Sequence, residues 1–261
     1  MDQNLIIKEV RDYLKQNSDK KLIEKYARFF KEGYDSYGIS TEIFNSLLKT
    51  MLEKYVLTGD LDDVLTLGNE LFASGKYEEG SLAISFLSAL RKRESKLAKK
   101  KTFQNPQLLL EFDRTVLPQL KILFDKWILN WAHTDMTCSE LLGKMLIDKT
   151  ITISDFTTWK KSISKWTRRA VPVSMIALLK NEKDLSPLLD YIDSMMMDIE
   201  RPVQQGLGWF LREAWKKQPA PVEKFLFKWK ENAPRLIFQY ATEKMGKEQR
   251  EKFRRSKKKL A

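Results

Sequence analysis

A chain of 261 residues, 43% of them hydrophobic, is long enough to bury a substantial core in one large or two modest domains. Its single cysteine, Cys138, and single histidine, His133, exclude a disulfide framework and any site built from several thiolates or imidazoles, so neither a catalytic metal nor a cofactor is expected. The net charge of +12 is gathered into two blocks, +6 over Arg91 to Lys101 and +7 over Lys244 to Ala261, which favours a polyanionic partner such as nucleic acid over an anionic membrane surface.

The chain opens with Met1-Asp2-Gln3-Asn4 and enters an amphipathic helix without a signal-peptide core, and no apolar run approaches membrane-spanning length. A soluble cytoplasmic monomer is therefore expected. Helical periodicity predicts a first pair over 4–16 and 19–31, a break at Gly33-Tyr34-Asp35-Ser36-Tyr37-Gly38, and helices near 41–55 and 61–73. A longer helix over 76–101 ends in the first basic block. Pro106 opens the next stretch, which runs to Trp131 with an interruption at Pro118. Thr137-Cys138-Ser139-Glu140 then has the spacing of a capping box, which places a turn at 133–136 and a new helix after it.

Later helices are predicted over 155–165 after Ser154, 168–180 after Thr167, and 188–197 after Ser186-Pro187. Pro202, Pro221 and Pro234 fall at further helix starts, where a missing amide costs nothing. No segment shows strand alternation. The expected fold is all-α, an α-solenoid of antiparallel HEAT-like helix pairs with a basic concave face, forming one domain over 1–243 with a basic tail over 244–261.

Three clusters carry candidate chemistry. Trp127 and Trp131, four apart, would share a helix face that Asp135 continues one turn on, setting a carboxylate beside an indole where it can stabilise positive charge; two core tryptophans and a capping aspartate would give the same spacing. Trp159 to Arg169 holds Lys160, Lys161, Lys165, Arg168 and Arg169 with no acid. Its arginines fall at a helix start, where cations oppose the dipole unless an anion is the neighbour, although a purely solvated arginine pair would fit the stretch equally well. In the helix after Arg201, Val203, Leu207, Phe210, Leu211 and Ala214 form an apolar stripe, and Trp209 stands opposite among Gln205, Arg212 and Lys216. That suits a stacking surface, or a second helix covering the face.

Other signals carry less. Gly206-Leu207-Gly208 is a GxG within a helix and no dinucleotide loop. Met195-Met196-Met197 reads as packing filler. His133, beside the predicted turn, could polarise or position a group but reads more simply as a solvated loop histidine.

Taken together, Trp131-Ala132-His133-Thr134-Asp135, Trp166-Thr167-Arg168-Arg169-Ala170 and the segment from Val203 to Glu213 resemble the DNA alkylation repair family of HEAT-repeat glycosylases, the AlkD-like proteins. Phe29 to Tyr34 and Gly38-Ile39 are similar to an N-terminal loop of that family. The resemblance implies hydrolysis of the N-glycosidic bond of N3- or N7-alkylpurines in duplex DNA without a metal or a flipping pocket. It implies that Asp135 is the catalytic aspartate, that Trp131 and Trp209 are indoles flanking the sugar, and that Arg169 and Arg212 contact phosphates. Arg168, Lys160, Lys161 and Lys165 are expected to bind DNA on their charge. Two departures stand out: Phe29 where a tyrosine is expected, and Ser40-Thr41-Glu42-Ile43 in place of an arginine-bearing segment. A non-catalytic HEAT-repeat protein that binds damaged or unusual DNA is the alternative, and a protein-binding solenoid a third.

Overall fold

A computed structural model describes residues 2–100 and 105–256, and every regular element among them is helical. Lys101 of the first basic block and 257–261 of the second lie outside the described residues. The chain divides into two compact units, Met1–Leu141 and Leu142–Ala261.

The first unit holds α1 (Gln3–Gln16), α2 (Lys20–Ala27), α3 (Thr41–Met51), α4 (Leu61–Ala73), α5 (Tyr77–Lys99), α6 (Pro106–Lys126) and α7 (Trp131–Thr137). The consecutive helices α4, α5 and α6 pack on one another, α1 packs on α4, and alternate helices also pack side by side, α3 and α7 against α5 and α6 against α4. The starts follow local chemistry, since Asp2, Asp19, Ser40, Asp60 and Asn105 each accept a hydrogen bond from a free first-turn amide. Two ion pairs tie the layers together. Arg91 on α5 meets Asp113 on α6 through two bonds of 2.9 and 2.7 Å, both residues buried, and Arg11 on α1 forks onto buried Glu79. Arg93 donates to the carbonyls of Leu57 and Gly59 and pairs with Glu94. Part of the first basic block therefore serves the fold.

The second unit holds α8 (Gly143–Ile147), α9 (Lys165–Met175), α10 (Ser186–Asp193), α11 (Arg201–Lys217), α12 (Pro219–Trp229), α13 (Arg235–Ala241) and α14 (Lys247–Lys252). Here α9, α11 and α13 form one layer and α10 packs on α12 in the other, the arrangement of stacked helix pairs. As far as Ser256 the second basic block is folded. Phe253 is 1% exposed and stacks at 4.7 Å on Phe227, Arg255 donates to the carbonyls of Asn232 and Ala233, and Ser256 bonds Glu231.

Several predicted boundaries are overturned, each for a packing reason. Pro118 lies inside α6 without ending it, because Val116 and Leu120 on either side are fully buried and that burial outweighs the lost amide bond. The chain breaks instead at 127–130, where buried Ile128 turns inward and Asn130 caps α7. No turn exists at 133–136, and the Thr137 hydroxyl bonds back to the His133 carbonyl inside the helix rather than capping a new one. The segment predicted as a helix over 155–165 is two 3₁₀ turns, Ile153–Phe156 and Trp159–Lys161. Phe156 and Trp159, three apart, thereby meet edge to face in the core. The cap of α9 is Ser164, not Thr167, which is buried one turn in.

Candidate functional site

Trp131 and Asp135 lie one turn apart on α7 and so share a face, whereas Trp127 lies at the start of the break, as the C-cap of α6, and is not on that helix. The helix is held by its cap. Asn130 Oδ1 accepts from the His133 amide at 2.8 Å, so its Nδ2 is the group that donates to His133 Nδ1, 3.1 Å away. The imidazole proton is then on Nε2, which donates to the Tyr77 carbonyl at 2.9 Å with the Ser81 hydroxyl at 3.2 Å. The ring stacks on Tyr77 at 4.9 Å and meets Phe72 edge-on, and burial pushes its pKa down to about 4. His133 is thus a neutral buried strut between α5 and α7, which corrects the reading of a solvated loop residue. A Cβ on Gly80 would lie 2.6 Å from its ring.

The strut leaves Trp131 at the surface, 42% exposed, with its indole N–H donating to the Phe29 carbonyl at 3.1 Å. Asp135 is partly exposed. Phe30 is sandwiched between Tyr34 at 4.5 Å and Trp131 at 5.6 Å, the rings within 18° and 22° of parallel. These rings line a cavity of about 830 Å³ within the first unit, which Tyr77, Phe44 and Met136 help to close. The loop that carries them is fixed by two acids that sequence reasoning passed over. Glu78 accepts from the Ser36 hydroxyl and from the amides of Tyr37, Gly38 and Ile39, and Glu79 from the Tyr37 hydroxyl. Gly38 is required there by a φ of +75° and by Asp19 O, which lies 2.1 Å from where a Cβ would be. In sequence, Glu78-Glu79 opens a helix and reads as an ordinary pair of dipole partners, with nothing to mark the amides of a distant loop as its donors.

In the second unit, the apolar stripe of α11 is fully buried as predicted, and Trp209 is neither fully buried nor fully exposed. Beside it Gln205 donates to the Tyr240 hydroxyl, and Arg212 pairs with Glu213 and Glu243. The GxG is a packing device, since a Cβ on Gly208 would lie 2.4 Å from Tyr240 Cβ and 2.7 Å from the Ile237 carbonyl on α13. Arg168 forks onto Asp198 at 2.6 and 3.2 Å and also donates to the carbonyls of Ser162 and Ile163. The anion that its place in the first turn of α9 calls for is therefore Asp198. Arg169 is 6% exposed and donates to the Pro202 carbonyl at 2.7 Å. Lys160 donates to the Tyr191 carbonyl and lies 3.9 Å over the Tyr191 ring, and burial lowers its pKa. Lys161 is exposed and Lys165 partly so, whereas Trp159 and Trp166 are core residues.

Among the described residues no three His, Cys, Asp or Glu side chains are grouped to hold a metal ion, and no helix is long and apolar enough to cross a membrane. A sequence profile of the family described as DNA alkylation repair enzymes matches residues 10–245. No curated protein sequence matches the chain. The fold is similar to that of a solved structure from Enterococcus faecalis described as a predicted DNA alkylation repair enzyme, with a TM-score of 0.66 and 16% identity over 88% of this chain and 98% of that one. At that identity the likeness is one of fold.

Proposed function

The chain belongs to the family of DNA alkylation repair enzymes, and we propose that it is a monofunctional glycosylase that hydrolyses the N-glycosidic bond of N3- or N7-alkylpurines in duplex DNA. An alkylated purine carries positive charge, so the C1′–N9 bond breaks with its electron pair passing to the base, which leaves as a neutral species. The sugar is left with oxocarbenium character until water adds at C1′ and gives up a proton. The tasks for the protein are to stabilise that cation, orient the water and take the proton. Asp135 suits the first and last of these, and the face of Trp131 on the same helix supplies negative π density to that cation, while Trp209 is proposed as a second indole on the family resemblance. Exposed Lys161 and partly exposed Lys165 are proposed as phosphate contacts, whereas Arg169 is buried on the Pro202 carbonyl and Arg212 is paired with Glu213 and Glu243, so the phosphate roles that the resemblance implies for them would need those bonds to be exchanged.

The observation that carries this reading is the pairing of exposed Trp131 with Asp135 one turn away, on a helix whose start is locked by Asn130 and His133. A merely structural tryptophan would be expected inside the core. The experiment is release of 7-methylguanine and 3-methyladenine from methylated duplex DNA by the purified protein. Binding to that DNA with no base released would replace the enzyme by the non-catalytic DNA-binding reading.

A further inference from the structure

Three apolar side chains of the second unit stand in water on two neighbouring loops. Ile163, two residues before α9, is 100% exposed, and Ile199, two residues before α11, is 85% exposed, with Met197 close by in sequence at 54%. The helices α9 and α11 pack side by side, and one guanidinium joins the loops that precede them. Arg168 donates to the Ile163 carbonyl at 3.0 Å and forks onto Asp198, the residue before Ile199. An apolar residue just before a helix cap ordinarily packs on the fourth residue of its own helix. Here those fourth residues are Arg168 and Gln204, and both are spent on Asp198, Arg168 on its carboxylate and Gln204 on its carbonyl at 2.8 Å. Neither isoleucine is covered. Their backbones are nonetheless fixed, since the Glu200 amide donates to Asp198 Oδ1 and the Ser164 amide to the Ser162 hydroxyl. The two loops thus hold aliphatic groups firmly in solvent, where they gain free energy only on meeting a partner.

The surroundings select that partner. Lys161 and Lys165 flank Ile163 in sequence and exposed Arg201 follows Ile199, whereas of the two acids between Ser194 and Arg201, Asp198 is neutralised by Arg168 and Glu200 stands against three cations. Apolar tips set among cations match a polyanion with an apolar interior. Duplex DNA has that form, with phosphates along its grooves and stacked bases between them. Single side chains on loops fit the minor groove, about 6 Å wide, better than the major groove, which is wide enough to admit a helix. We propose that Ile163 and Ile199 are a paired wedge that enters the minor groove between phosphate contacts made by Lys161, Lys165 and Arg201, partly unstacks one base step and bends the duplex. The wedge rests on the DNA-binding part of the proposed function and not on its chemistry. Both base pairs of the opened step stay inside the duplex. Aliphatic groups read no base edge, so the wedge prefers steps that deform readily, pyrimidine–purine steps above all.

The test uses the full-length protein and a short undamaged duplex that carries 2-aminopurine at a central TA step and a dye pair at its ends. Anisotropy gives affinity, 2-aminopurine emission gives unstacking, and energy transfer gives the bend. Wild type should raise the emission and draw the ends together, more on the TA step than on an A-tract. The double variant Ile163→Ser with Ile199→Ser removes only exposed side chains, so its melting temperature should match wild type. Its affinity should fall about tenfold at an unchanged salt slope, and emission and energy transfer should return to those of free DNA. Lys161→Ala should instead lower the slope by about one and leave unstacking of the bound duplex intact. Unstacking by the double variant, or none by bound wild type, overturns the wedge. Release of 7-methylguanine from methylated DNA with an unmoved 2-aminopurine signal overturns the wedge and leaves the glycosylase standing. Unstacking that the double variant loses, in a protein that releases no base, supports the wedge and removes the glycosylase, and failure to bind DNA overturns both. Binding to phosphatidylglycerol vesicles that the double variant loses, with its DNA binding unchanged, gives the patch to a membrane surface and overturns the proposal.

Discussion

An indole that serves binding rather than packing can be deleted without unfolding the protein, and the tryptophans of this chain divide on that criterion. Trp159, 2% exposed, should cost about 3 to 5 kcal/mol when replaced by alanine. Trp209→Ala should cost about 1 kcal/mol or less while lowering excision; a large fall in melting temperature would mark Trp209 as a packing residue. Asp135→Asn keeps shape and hydrogen-bonding capacity but deletes the charge proposed to face the cation. DNA affinity should hold, and the single-turnover excision rate should drop on the order of 10² to 10³-fold. Wild-type excision by this variant would reduce Asp135 to an ordinary helix residue. His133 predicts a pH dependence of stability. Its pKa lies near 4 folded against the ordinary 6.5, so the unfolded chain binds the extra proton between those values. Stability should therefore be unaffected above about pH 6.5 and fall as pH drops toward 4, by on the order of 3 kcal/mol in all. Subtracting the melting curve of His133→Gln from that of wild type isolates this contribution, and parallel curves would refute it.

Helix packing at the element scale is limited by backbone approach. On α11, Gly208 faces the α13 backbone so closely that even a methyl group must move a helix. Gly208→Ala should destabilise by about 1 to 3 kcal/mol, which outweighs the roughly 1 kcal/mol that alanine gains over glycine in helix propensity. Gly68 on α4 provides the control. A Cβ there meets Ala83 at an ordinary 3.7 Å, so Gly68→Ala should be neutral or stabilising. Denaturant midpoints at unchanged m-value distinguish the two, and equal shifts would contradict the packing account. The same competition explains the overturned boundaries. Propensity and capping patterns placed a break at Pro118 and a start after Thr137, but burial of Val116, Leu120 and Ile128 moved the break to 127–130.

For the whole molecule, charge governs association. Binding to duplex DNA that neutralises about five phosphates should give a slope of log K against log salt near −4 to −5. Removing 257–261, which carries three lysines, should flatten that slope and leave lesion preference unchanged, whereas cutting at Lys244 would also remove the buried Met245 and Phe253 and destabilise the fold. A salt-independent affinity would exclude electrostatic DNA binding. The sequence by itself determined the all-α class, the helix-pair architecture and the motifs that resemble the repair family, because 3.6-residue periodicity, capping residues and residue type are local properties. Tertiary structure alone decided which charges remain available. Asp198 holds Arg168, Asp113 holds Arg91 and Glu78 gathers the amides of a loop forty residues away, and no local pattern encodes a partner at that distance. It also decided that His133 is a buried strut and that the rings around Trp131 enclose a cavity, because both depend on which distant surfaces exclude water from one another.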